Sequence, residues 1–401
     1  MLLNKHIILY SIFFCFQATF AEAQQQLRGT IIDEATLEPL AFATIYLNTT
    51  SIGTTSDNEG SFNFQVPEGE HEVIVQFVGY KTLSFTVNSK EIAPQYKIKL
   101  QKETQELASV KINGERDKEW YENLKIFKSN FIGTSENALA CKILNEKSLV
   151  IDYDPQKAAL KVIAKEPLQI LNSNLGYILH YSLVEFNYEL RQGKLFFAGY
   201  PYFKENKLSG RKLKKVEKNR RRAYHGSLVH FIKSLLNNSL QKEGFRVMNL
   251  YRVPNPERPS DSIISAIRKE VLFGNLNKRK KDSLRTNVLE KRGLPKNLNM
   301  LDTTALSANE LIVRKEDKIY MRASNLLQIV YQNEKEELNY LTHSRTKKPG
   351  LQTSILNIVS GEEELNLAGD ITNPSNVFLE GYLAWEKIGD LLPLDYVPPP
   401  N

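Results

Sequence analysis

The sequence predicts two folded parts: an N-terminal all-β sandwich, then an α+β domain with an antiparallel sheet and amphipathic helices. Three observations predict this. Between residues 27 and 100, short runs rich in β-branched and aromatic residues alternate with turn residues at close spacing, without a sustained helical period. Residues 101–114 are polar and read as a connection. Beyond residue 118, some segments repeat apolar residues at helical spacing and others alternate them with polar ones.

Residues 1–23 precede both parts and read as a secretory signal peptide. Lys5 lies near the start, the apolar run 7–16 (IILYSIFFCF) is too short to span a bilayer, and Ala21-Glu22-Ala23 offers a cleavage site. Cys15 follows Ile12-Phe13-Phe14, bulky where a lipoprotein signal carries small residues, so lipidation there is not expected. The chain is therefore expected to be exported, to the periplasm or to the outer membrane. Removing residues 1–23 takes away Lys5 and Glu22 and leaves the net charge at +7. Cys141 is then the one cysteine left, which excludes an intrachain disulfide. Its apolar neighbours make a buried, inert thiol the expectation. The boundaries that follow are 1–23 signal peptide, 24–102 sandwich, 103–117 linker and 118–401 α+β domain, with 254–310 partly irregular and charged.

In the first domain, strands are expected at 27–32, 41–47, 61–66, 71–77, 83–87 and 96–100. The stretch 53–64 (GTTSDNEGSFNF) is the sharpest local signal. Thr54 and Thr55 favour extended backbone, Asp57 and Asn58 can bond to nearby backbone and open a turn, and Gly60 can take positive φ. Phe62 and Phe64 then share one face of the returning strand. Asp57 and Glu59 alone do not make a calcium loop, which needs more oxygen ligands and a distant glutamate.

These residues carry a resemblance. Gly29-Thr30-Ile31, Pro39 to Ile45, Gly53-Thr54-Thr55-Ser56-Asp57, Gly60-Ser61-Phe62 and Phe77-Val78-Gly79-Tyr80 stand in the order of the carboxypeptidase-regulatory-like domain. The resemblance covers about 27–102 and implies a transthyretin-like sandwich. Such a sandwich is an accessory module at the N-termini of Bacteroidota envelope proteins, many TonB-dependent receptors among them. It brings no catalytic residues.

In the second part, Trp120, Leu124 and Phe127 predict a helix that ends before Gly133. Residues 148–203 read as β, with a hairpin turn at Arg191-Gln192-Gly193. His180 is expected on the Val184/Phe186 face as a packed residue. Gly199 to Phe203 reads as an aromatic loop, where Tyr200 and Tyr202 are candidates for sugar stacking. Residues 204–222 hold ten Lys/Arg against two Glu and run into a segment with Leu228, Phe231, Ile232 and Leu235 on a helical face. Lys214, Lys215, Arg220, Arg221 and Arg222 are the candidate contacts for an anionic partner there.

His225 and His230, five apart on an assumed helix, are expected to face apart. The chain has no His-Glu-x-x-His and no His-x-x-Glu, so zinc carboxypeptidase activity is not expected. Ser260 or Asp261 should cap a helix with Ile263, Ile264, Ile267 and Val271 on its apolar side. The run Lys278 to Lys281 adds a second basic stretch. Strands are expected again at 311–313, 319–323, 326–332, 354–359 and 364–367. In the tail, Trp385, Ile388 and Leu392 form a helical stripe ended by Pro393.

Several later blocks carry a second resemblance: Phe127 to Gly133, Lys165 to Leu168, Leu175 to Tyr177, Gly199 to Phe203, Asn219 to Ser227, and Gly381 to Tyr396. They are similar to a Bacteroidota envelope family in which the regulatory-like domain precedes an α+β region of unknown function. That resemblance implies architecture and compartment and supplies no mechanism.

The functional expectation is a non-enzymatic cell-envelope binding or scaffolding protein, with no catalytic residue, metal site or cofactor assigned. The partners expected are an anionic envelope polymer, lipid headgroups or another envelope protein, with peripheral membrane association. Nucleic acid is not expected of an exported chain. One alternative is an envelope hydrolase acting on glycan or peptide through residues assembled in space. Another is an accessory component of TonB-dependent uptake.

Overall fold

The computed structural model describes residues 25–103, 116–316, 318–344 and 346–399. The expected signal peptide and most of the expected linker lie outside these residues. The chain divides into two compact units, Met1–Lys111 and Ile112–Asn401.

Among the described residues, the first unit is a seven-stranded sandwich. One sheet has Gln25–Asp33 at its centre, flanked by Ser61–Val66 antiparallel and Tyr96–Leu100 parallel. The other runs in the order Gly53–Thr55, Thr44–Leu47, Glu70–Gln76, Leu83–Asn88, all antiparallel. Alternation sends Leu27, Ile31, Ile45, Phe62, Val73, Val75 and Ile98 into the shared core.

The 53–64 turn forms as its residues dictate. Asp57 Oδ1 accepts from the Glu59 and Ser61 amides at 3.0 and 2.7 Å. Gly60 takes φ +71, and a Cβ there would stand 2.5 Å from the Ile31 carbonyl. Asp33 fastens a second corner. Its Oδ1 accepts from the Ala35 and Thr36 amides, and Oδ2 accepts from the Tyr80 hydroxyl at 2.6 Å with Lys102 at 3.4 Å. These bonds, the Tyr80 hydroxyl first, hold the Asp33 carboxyl well below the usual range.

The second unit is α+β. Its first sheet is built on two long strands, Tyr177–Glu189 and Lys194–Glu205, joined by the expected turn with Gly193 at φ +63. The other edge of Tyr177–Glu189 is shared end to end. Leu168–Asn172 pairs with its start and Ala159–Ala164 with its end, and these are extended by Cys141–Ile143 and Leu149–Asp154. The helix Lys118–Phe131, capped by Asp117 on the Trp120 amide at 2.8 Å, lays Trp120, Leu124, Phe127 and Phe131 on this sheet.

The second sheet runs Asn297–Ala305, Phe245–Pro254, Leu326–Lys335, Leu351–Ile358, Val377–Gly381, all antiparallel. A small third sheet joins Ile312–Lys315, Lys318–Arg322 and Glu362–Leu365. The helix Leu228–Leu236 buries Phe231, Ile232 and Leu235 in the second core.

The chain closes on itself. After the second sheet, Ile388 and Leu392 return to the first core, while Trp385 packs with Tyr340 and Tyr382. The tail stripe is therefore not one helix. Tyr382–Trp385 is a single turn, Glu386 turns extended, and Ile388–Asp390 is a separate 3-10 turn. Gly389 makes this closure possible, since a Cβ there would sit 2.5 Å from the Ala138 Cα.

Three further expectations need correction. Gly199 to Phe203 is not a loop but the second half of a strand, with Tyr202 opposite His180 and Tyr200 opposite Ser182. His180 does not share the Phe186 face. The pairing shifts register between Leu183 and Glu185, so Tyr177, Leu179, Tyr181 and Leu183 face the core and Phe186 rejoins them, leaving Val184 exposed. Of the residues expected on the apolar side of Asp261–Phe273, Val271 is buried but Ile263 is 51% exposed.

Candidate functional site: a basic helix tied to an acidic cluster

Most of the basic segment lies on the helix Gly210–Tyr224, while Lys204 lies near the end of the strand Lys194–Glu205 and Lys207 lies between the two. Its cations divide into two groups along its length. Arg211, Lys212, Lys214, Lys215 and Lys218 are exposed. None of these five has an ion-pair partner among the described residues. The arginines near the end are built into the fold. Arg220 Nε donates to the Leu175 carbonyl at 2.7 Å and Nη1 to Glu205 at 2.7 Å, and the guanidinium stacks 3.8 Å from the Tyr177 ring centroid. Arg222 bridges Glu136 at 2.8 Å and Glu337 at 3.0 Å. Arg221 is partly buried and also engaged.

Sequence reasoning grouped these residues because a charge run carries no mark of which cation faces a carbonyl. A signal was nonetheless present in the 3.6-residue period. Val216 and Ala223, the helix's buried positions, mark the packed face, and the arginines cluster around Ala223. Of the aromatic candidates, Tyr202 is 8% exposed, with its ring 6.4 Å from His180 and 5.7 Å from the Lys204 ammonium. Tyr200 is half-buried and also has a partner. The two tyrosines share a sheet face, and neither stands out as a flat stacking platform.

Arg222 connects the helix to an acidic cluster that the sequence reading missed. Asp390 Oδ1 accepts from the Ser135 hydroxyl at 2.8 Å and from the Asn137 amide at 3.1 Å, while its Oδ2 has no hydrogen-bond partner among the described residues. Burial pushes the Asp390 carboxyl up to about 6, against the Ser135 bond. Burial also pushes Glu386 well above the usual carboxylate range, with Asp390 and Glu337 adding to it, and raises Glu337 and Glu334. Lys387 is held down at about 8 by burial and donates to the Ala384 carbonyl. The members come from separate stretches of chain, around 135, 222, 337 and 390, and no local pattern could have announced them.

The histidines meet, contrary to expectation. His225 ends the basic helix, Gly226 turns at φ +84, and Ser227 caps Leu228–Leu236, so the two rings lie 5.2 Å apart. The expectation failed because it placed both on one helix. His230 is 3% exposed, among Tyr224, Phe245 and Tyr331. Its Nδ1 accepts the Gly226 amide proton at 3.1 Å, which leaves Nε2 as the protonated nitrogen, 3.4 Å from Glu243. Burial pushes His230 down to about 4, so it is neutral at pH 7. Ser227 accepts from the His230 amide and the Ser234 hydroxyl donates to the His230 carbonyl. This histidine–glutamate pair offers no basic nitrogen to a nucleophile. The Cys141 thiol donates to the Asn137 carbonyl at 3.3 Å, and burial pushes it up to about 12.

Fold and site together define a class: a β-sandwich followed by an α+β unit in which some charged side chains, Arg220 and Arg222 among them, are tied into the fold. Residues 27–112 match the CarboxypepD_reg-like domain family, as the motifs between Gly29 and Tyr80 implied. Among curated proteins, none matches. A solved structure from Bacteroides fragilis, provisionally described as membrane-associated and of unknown function, matches at 9% identity. The match covers 89% of this chain and 93% of that one, with a TM-score of 0.16, and likeness at that level carries no inference. No helix among the described residues is long and apolar enough to cross a membrane.

Proposed function

We propose that the protein is a non-enzymatic binding and scaffolding component of the cell envelope, and that the first half of the basic helix is its contact surface for an anionic partner. One observation carries this reading. The helix segregates its cations, and Arg211, Lys212, Lys214, Lys215 and Lys218 hold exposed positions without ion pairs among the described residues while Arg220 and Arg222 satisfy carbonyls and carboxylates. Cations that fold stability does not use remain available to raise the local concentration of an anionic polymer or surface. The commitment of His230, Ser227 and Ser234 to backbone and Glu243 weighs against a triad hydrolase at that cluster.

The test is retention on immobilised dextran sulfate. Replacing Lys212, Lys214, Lys215 and Lys218 by Gln is expected to lower the eluting salt concentration clearly, because each lost contact weakens a screened attraction. Elution at the wild-type salt concentration would remove the helix from the binding surface.

A further inference from the structure

A second surface, distinct from the basic helix, stands out in the insertion between the strands Phe245–Pro254 and Asn297–Ala305. Residues 255–305 hold eleven Lys/Arg against six Asp/Glu. The segment folds as a helical hairpin: Asp261–Phe273, then Lys278–Leu284 continued by the turns Arg285–Leu289 and Glu290–Gly293, with Lys278–Leu284 and Arg285–Leu289 packed back on the first helix. No residue of Lys278–Leu284 or of those two turns is buried.

The bend is well built. Gly274 donates to the Glu270 carbonyl at 2.8 Å at a point where a Cβ would stand 2.4 Å from that oxygen, and Asn277 caps the next helix on the Lys280 amide at 2.9 Å. At this bend Phe273 is 86% exposed and Leu272 59% exposed. The chain then reaches Lys278, Arg279, Lys280 and Lys281, and none of these four has an ion-pair partner among the described residues. Five residues of chain cannot separate Phe273 from Lys278 by more than about 18 Å.

We infer that this tip docks on an anionic phospholipid bilayer, with Leu272 and Phe273 entering the headgroup–acyl boundary and Lys278 to Lys281 resting on lipid phosphates. A large aromatic side chain left in water beside four adjacent cations matches the two attractions that hold peripheral proteins on such a surface, apolar burial and charge. A second copy of the chain fits less well, because it would bring two runs of four cations together. A soluble polyanion would satisfy the cations and leave Phe273 in water.

The test is cosedimentation of the chain from Gln24 onward with phosphatidylcholine vesicles, with and without phosphatidylglycerol. Removing residues 1–23 eliminates the apolar run at 7–16 and leaves both described units whole. Binding is expected only to the anionic vesicles and to fall with salt. Each Lys→Gln change at the tip is expected to lower partition about fivefold, and L272S/F273S about tenfold or more. In F273W, brominated lipids should quench the new tryptophan. These positions are exposed except Lys281, which is half-buried, and circular dichroism verifies that each variant folds. Wild-type partition in L272S/F273S, or absence of quenching in F273W, overturns the inference. If partition falls only in the Lys212/Lys214/Lys215/Lys218 variant, the basic helix is the lipid contact, so the hairpin proposal fails while the proposed function stands.

Discussion

At the scale of single residues, burial decides what each charged group does. Arg220 belongs to the structure: its guanidinium covers Tyr177 and satisfies the Leu175 carbonyl, in a side chain 11% exposed. Arg220→Gln is expected to cost about 2–3 kcal/mol, read as a lower denaturation midpoint, from the lost stacking and an orphaned carbonyl. Asp390 sets a pH dependence. Its ordinary value is 3.8 and its folded value about 6, so the folded state keeps a proton that the unfolded state releases. That contribution is fully present below about pH 4 and is lost as pH rises through about 6. Asp390→Asn, which keeps an acceptor for Ser135 and Asn137, should flatten this slope in urea titrations at pH 4, 6 and 8. A slope unchanged by the substitution would mean that Asp390 titrates normally.

At the scale of elements, two short devices redirect the chain. Gly226 separates two helices at φ +84, and a Cβ there would stand 2.2 Å from Gln352 Oε1. Gly226→Ala is expected to cost about 2 kcal/mol or more, because both the backbone angle and the space oppose a side chain. Thermal melting checks it, and an unchanged melting temperature would contradict it.

The second device is the shift at Val184, and the two together show where sequence reading stops. Asp57, Gly60 and Phe62 specify their turn and strand locally, so the sandwich was legible. The strands Ser61–Val66 and Leu83–Asn88 stand almost where alternation put them. Alternation cannot signal a bulge from one strand alone, because the extra residue is defined by its partner, so His180 was assigned to the wrong face. The strand Asn297–Ala305 was hidden for a related reason. It is an edge strand, exposed along nearly its whole length, and carries little apolar pattern. The Asp390 cluster spans about 250 residues of sequence, as the Ser135 bond illustrates, and only the tertiary fold assembles it.

At the scale of the whole molecule, the net charge of +7 is not spread evenly. Residues 204–222 carry an excess of eight positive charges and residues 255–305 an excess of five, so the rest of the chain is net acidic. Charge concentrated in this way shapes the field that an approaching partner would meet. The regulatory-like sandwich is a module with its own hydrophobic core, and the α+β unit carries both basic stretches.

The central claim is that the basic helix divides its work, the lysines between 212 and 218 for binding and the arginines of its end for the fold. Parallel measurement of dextran sulfate elution and melting temperature on two variants tests it most directly. The Lys212/Lys214/Lys215/Lys218→Gln variant should elute at lower salt with its melting temperature kept, and Arg220→Gln should melt earlier while eluting near the wild type. Wild-type elution by the lysine variant, or lost retention in Arg220→Gln with its melting temperature intact, would contradict it.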